Sequence, residues 1–168
     1  MTMWLILFSR SQAPALVENL EEGGGGGLPE SEWEGYAVPH LLLELYAEPE
    51  ADLERRGLLG LAGAAIPIDD LASVLADEHP SWPEGPWVPI GEFPAALEAL
   101  AAQLEAGPAA LDPLLRRAVE PRHWQSEAER DQRREGNRKT LAQELREFVT
   151  AMRGLQSAGE QDMLLVFN

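Results

Sequence analysis

The chain has 168 residues, 45% of them apolar, which is enough for one domain to bury a core without covalent staples. It contains no cysteine, so disulfides, thiol nucleophiles and cysteine-ligated zinc are excluded together. A formal net charge of −16 would repel a phosphate backbone over most of the surface, so nucleic acid is not an expected partner.

The first element expected is a strand. MWLILF (3–8) is short, continuously apolar and rich in strand formers. A helix follows at about 12–22, with Leu16, Val17 and Leu20 on one face. The glycine run at 23–27 is preceded by Glu21 and Glu22 and followed by Leu-Pro-Glu, with no lysine or hydroxyl placed to help hold an anion. It reads as a flexible surface loop rather than a phosphate cradle.

HLLLELY (40–46) is too short to assign by period alone. PEADLERRG (49–57) is better marked: Pro49 suits a first helical turn, acids come early, Arg55 and Arg56 late, and Gly57 can stop the helix. It could also run on through the glycine-containing LLGLAGAA. Asp69 is placed as the N-cap of a helix ending near Asp77.

Prolines at 80, 83, 86 and 89 then recur every three residues, which is the period of polyproline II. Such a segment would present Trp82, Glu84 and Trp87 as a stiff partner-binding rail. Alternatively, both tryptophan rings fold back and fasten a connector to the helices.

EFPAALEALAAQLEA (92–106) is a helix with Phe93, Leu97, Leu100 and Leu104 as its stripe, closed by Gly107 and Pro108. A shorter helix at about 109–119 follows, disturbed by Pro113. Leu141, Leu145, Phe148, Val149, Met152 and Leu155 define one buried face of the last helix. Ahead of it, SEAERDQRREGNRK (126–139) carries five basic residues. Ser126 with Glu129 fits a capping box, and Glu129–Arg133 and Glu135–Lys139 are spaced for helical ion pairs. The stretch reads as a solvated helical extension, with Gly136-Asn137 a possible interruption. MLLVFN (163–168) supplies a closing strand.

These elements imply one α+β domain over 1–168, with helices packed on one side of a small sheet that includes both terminal strands, about 3–8 and 163–168. No stretch approaches the roughly 18–20 apolar residues of a membrane span, and the opening apolar run is too short for a secretory leader. The expected location is therefore cytoplasmic, with no membrane partner.

The opening MTMWLILFSRSQAPALVENL, Trp124, and the closing REFVTAMRGLQSAGEQDMLLVFN resemble the YfbM-like family of small bacterial proteins of unknown function. The likeness covers about 60 residues. It implies a fold with a strand and helix at the start and a long helix and strand at the end, and it implies no activity and no site residues.

Charge is the remaining guide to function. Residues 1–115 hold 20 acids and 3 arginines, net −17, whereas residues 116–168 hold 9 acids and 10 bases, net +1. Twelve of the thirteen basic residues are arginine, a habit of GC-rich bacterial genes. The acidic excess either solubilises the chain or steers it toward a more basic protein partner. Without a catalytic motif or an expected cofactor, the favoured function is a non-enzymatic binding protein of the immunity or adaptor type. The alternative is a small metal-dependent hydrolase using His79, His123 and nearby carboxylates; DEHP (77–80) and the i, i+4 spacing of His123 and Glu127 motivate it.

Overall fold

The computed structural model describes residues 3–21, 28–76, 85–121 and 125–168. The expected glycine loop at 23–27 lies outside them. The chain is α+β, as its pattern implied. In order it forms strand β1 (Leu5–Ser9), helix α1 (Ala13–Glu21), strand β2 (Trp33–Gly35) and helices α2 (Val38–Leu45) and α3 (Glu50–Arg56). Strand β3 (Ala65–Pro67), helix α4 (Leu71–Leu75) and strand β4 (Val88–Pro89) come next. Helices α5 (Phe93–Ala106), α6 (Pro113–Val119) and α7 (Glu127–Ser157) and strand β5 (Asp162–Phe167) complete it.

β5 is the hub of the sheet. One edge pairs antiparallel with β1, from Leu5 opposite Phe167 to Ser9 opposite Met163. Its other edge is shared, parallel with β3 at residues 165–167 and antiparallel with β4 at 162–163. β2 adds to the far side of β1, giving the order β2-β1-β5-β3.

Helices cover both faces of this sheet, which corrects the expectation of a single covered side. Leu5, Leu7, Met163 and Leu165 point into the larger core with α2, α5, α6 and α7. Ile6, Phe8, Leu164 and Val166 point the opposite way, against Leu16 of α1 and Leu71 and Val74 of α4. A strand buried on both faces has no solvent side to make polar, so both terminal runs are continuously apolar instead of alternating.

The helices start and stop for local reasons. α3 ends at Gly57, whose φ of 70° is a left-handed geometry that glycine adopts at little cost. It does not continue into the following loop. Asp70, rather than Asp69, precedes α4, and its side chain makes no capping bond. Pro113 initiates α6 instead of disturbing it: it occupies the first turn, where its missing N–H is not needed, and the Asp112 carboxylate accepts from Leu115 N at 3.0 Å. Burial alone would raise the Asp112 pKa, but bonds from Leu115 N, Arg56 and Leu114 N hold it below the usual carboxylate range.

α7 is continuous over 31 residues, about 46 Å at 1.5 Å per residue, and passes Gly136-Asn137 without a break. Its N-terminus carries the expected capping box between Ser126 and Glu129. Further along, Arg138 is almost fully buried. It pairs with Glu135 and donates to the Leu104 carbonyl at the C-terminal end of α5, where a cation meets the negative end of the helix dipole. Chiefly through its hydrogen bond with Arg138, the Glu135 carboxyl is lowered to about 2.

A second long-range cap fixes β2 and α2. Glu144 of α7 accepts from Ala37 N at 2.6 Å and Val38 N at 3.1 Å, filling the role of a local cap at the start of α2. Beside it Trp33 stacks on Phe148 with centroids 4.3 Å apart. A Cβ at Gly35 would collide with the Trp33 ring and come 2.8 Å from the Glu144 carboxylate, so the close approach requires glycine.

Two stability measurements follow. Leu165→Ala should cost about 2–5 kcal/mol in urea unfolding, because its cavity would open in the centre of the larger core, while exposed Leu59→Ala should cost little. Glu144→Ala should cost about 1–3 kcal/mol by leaving two amides unpaired, with Glu144→Gln, which keeps an acceptor, much closer to the parent.

Candidate functional site

Of the three residues expected to form a rail, Trp87 is described, while Trp82 and Glu84 lie outside the described residues. Gly85 has a φ of +88°, far from the −75° of polyproline II, so the helix cannot pass through residue 85 unbroken. Val88 and Pro89 then leave that conformation's isolation altogether by bridging to β5.

Trp87 is half-buried and packs against the smaller core. The Arg10 guanidinium lies 4.7 Å from its ring centroid and also donates to Asp162 Oδ2, at 2.9 Å from Nε and 2.7 Å from Nη2. For this residue the geometry is that of a fastened connector. One ion pair and one cation–π contact tie the segment to β5.

His79 and His123 also lie outside the described residues. Among the described residues no group of three or more His, Asp and Glu side chains is gathered to hold a metal ion. The described His40 is exposed on α2 at a polar cleft of about 490 Å3, lined by Glu44, Arg117, Glu120, Arg133 and Asn137 among others. Arg117 there is already engaged by Glu44 at 2.8 Å and by Glu48, and their hydrogen bonds raise its pKa.

That engagement is general. Nine basic side chains among the described residues, Arg10, Arg55, Arg56, Arg117, Arg134, Arg138, Lys139, Arg146 and Arg153, make ion pairs with carboxylates of the same chain. Arg146 bridges Glu98 and Glu105 between α7 and α5, and Arg153 returns to Glu98. The basic stretch 126–139 is partly neutralised in the same way: Arg134 meets Glu120 and Asp131, and Arg138 and Lys139 share Glu135.

Other carboxylates among the described residues stand outside these pairs, Glu18, Glu50 and Glu92 among them as well as those around β2. Glu30 and Glu32, just ahead of β2, and Glu34 within it are exposed, while Trp33 and Gly35 are buried. None of these three carboxylates has an ion-pair partner among the described residues. Glu34 sits opposite Ile6 and so shares the face of the smaller core. A hollow of about 240 Å3 opens there, lined by Trp4, Ile6, Leu28, Pro29, Glu30, Glu34 and Asn168. Trp4 packs on Tyr36 with ring centroids 3.8 Å apart, and its backbone continues the ladder to Asn168 through bonds of 2.9 and 3.1 Å.

This region did not figure among the sequence candidates. The acids of PESEWEG alternate, but only Glu34 falls within the strand, and the chain bends at Glu32 ahead of it.

A search of family models, of curated proteins and of solved structures returns no match to the chain. No helix among the described residues is long and apolar enough to cross a membrane.

The Arg10–Trp87 contact can be measured directly. A double-mutant cycle of Arg10→Ala and Trp87→Ala should give a coupling of about 0.5–1 kcal/mol in thermal or urea unfolding. A coupling of zero would mean that Trp87 is not fastened by the cation.

Proposed function

We propose that the chain is a non-enzymatic binding module of the immunity or adaptor type, which uses its acidic surface to recognise a more basic protein. The observation that carries this reading is the division of charge. Ion pairs absorb most of the bases, leaving a surplus of carboxylates on the surface, including the β2 edge. Such a field speeds the encounter with a cationic partner and disfavours nucleic acid. The basic helical stretch supports the same choice, since three of its cations already face carboxylates. The YfbM-like resemblance of the terminal segments remains a proposal about kinship, and the binding function does not depend on it.

The test is capture from a native bacterial lysate, identification of the captured proteins, and titration of the purified partner at several salt concentrations. The expected result is one predominantly basic protein, bound in a fixed ratio, whose affinity falls as salt rises. Affinity indifferent to salt, or partners that are neutral or acidic, would sink the reading.

A further inference from the structure

Helices α1 and α4 lie over the smaller core, and between them runs an apolar groove of about 330 Å3 lined by Val17, Leu20, Glu21, Ala72, Leu75 and Ala76. Leu20 and Leu75 pack inward on that core, whereas Val17, Ala72 and Ala76 are exposed in the groove. A lone exposed valine needs no explanation. Val17, at 38% exposure, instead continues an apolar floor that reaches from the core to the surface. The charge around this floor is of one sign. Glu18 and Glu21 are neighbours on α1, Asp69 stands just ahead of α4, and all three are exposed. None of them has an ion-pair partner among the described residues, and neither helix contains a basic residue.

We propose that this groove seats one face of an amphipathic, basic helix of the protein partner. Apolar side chains one turn apart would lie between α1 and α4, and flanking arginine or lysine side chains would reach Glu18, Glu21 and Asp69. The inference rests on the acidic-binding reading and gives it a location. Both walls are helices, so the geometry they accept is a third helix packing its ridge of side chains into the groove. Docking of this kind is anchored by apolar positions three or four apart. From Val17 to Glu21 α1 rises about 6 Å, close to one helical turn, which matches anchors at i and i+4. Ala72 and Ala76, at the same spacing on the facing wall, are small and leave the room that those anchors would fill. Apolar contact supplies the affinity, and the acidic rim selects the charge of the partner.

Charge also selects against occupants that the chain itself could supply. The segments that follow the two walls in sequence are Glu-Gly-Gly-Gly-Gly-Gly (22–27) and Asp-Glu-His-Pro-Ser-Trp-Pro-Glu (77–84), with four carboxylates between them and no arginine or lysine. A second copy would bring the same acids rim to rim, which is repulsive.

The test uses the full chain and a synthetic helical peptide with leucine at i, i+3, i+4 and i+7 and lysine elsewhere. The same peptide with glutamate in place of lysine is the control, and both are titrated by amide chemical shifts. The expected result is saturable binding of the lysine peptide alone, with shifts concentrated at residues 16–21 and 71–76. Val17→Ser and Ala72→Gln, both at exposed positions, should each weaken it about tenfold, as the loss of a buried apolar contact does. Leu59→Ser, an exposed leucine outside the groove, should weaken it less than about threefold. Glu18→Gln with Glu21→Gln should weaken it about tenfold at low salt, and Glu50→Gln with Glu92→Gln, the same charge change outside the groove, less than about threefold.

Equal binding of the two peptides, or equal loss in the two glutamate double variants, would overturn the basic helix as occupant. Binding unchanged by Val17→Ser and Ala72→Gln would overturn the groove as the site. Binding that emerges only in Trp82→Ala would mean that the chain's own segment fills the groove, and a dimer broken by Val17→Ser would put a second copy there; either result overturns the partner helix. If the lysine peptide fails while a lysate-captured basic protein binds and ignores the groove variants, the groove fails and the binding function survives. If neither binds, both fail.

Discussion

The pairing of β5 on both edges, together with the burial of both its faces, is the constraint on which the architecture depends. Leu164 and Val166 anchor one helical layer and Met163 and Leu165 the other, so a single strand couples the two cores. The register of β5 therefore decides which residues of β1 and β3 face which layer. A slip by one position would turn every one of those side chains toward the wrong core. Long-range caps then settle the helices on this frame: Glu144 holds the start of α2, and Arg138 holds the end of α5.

Much of that frame was legible in the residues. β1 and β5 announced themselves because burial on both faces demands an uninterrupted apolar run. α5 and the second half of α7 announced themselves through stripes whose members are buried, such as Leu97, Leu100 and Leu104, and Leu141, Leu145 and Phe148. β2, β3 and β4 were not legible. They are two or three residues long, and what makes them strands is hydrogen bonding to β1 and β5, not their own composition. The second helical layer was missed for a related reason, since a continuous apolar strand does not reveal how many of its faces are covered by helices.

The candidate site was less legible than the fold. Proline period drew attention to residues 80–89, but a positive φ at Gly85 and the inward packing of Trp87 depend on the surrounding structure and leave no mark on that period. Histidine spacing pointed to residues the structure does not describe. The acids at 30, 32 and 34 were visible as letters, yet that only Glu34 is held in a strand against β1, opposite Ile6, depends on the tertiary pairing.

The arrangement of β5 also has a consequence for how the molecule comes into being. β1 and β5 are separated by more than 150 residues, and every other sheet contact except that of β2 with β1 needs β5 as well. On the ribosome β1 and β2 would be made early, yet the strand that encloses them would emerge only after all seven described α-helices had been synthesised. Local helix formation can proceed meanwhile, but the apolar faces of β1 stay without their central partner until residue 162 and beyond are released. High contact order of this kind slows folding and lengthens the interval during which sticky surface is exposed. A strong surplus of negative charge offers nascent chains mutual repulsion during that interval, so the same carboxylates can protect the chain before it has a shape with which to recognise anything.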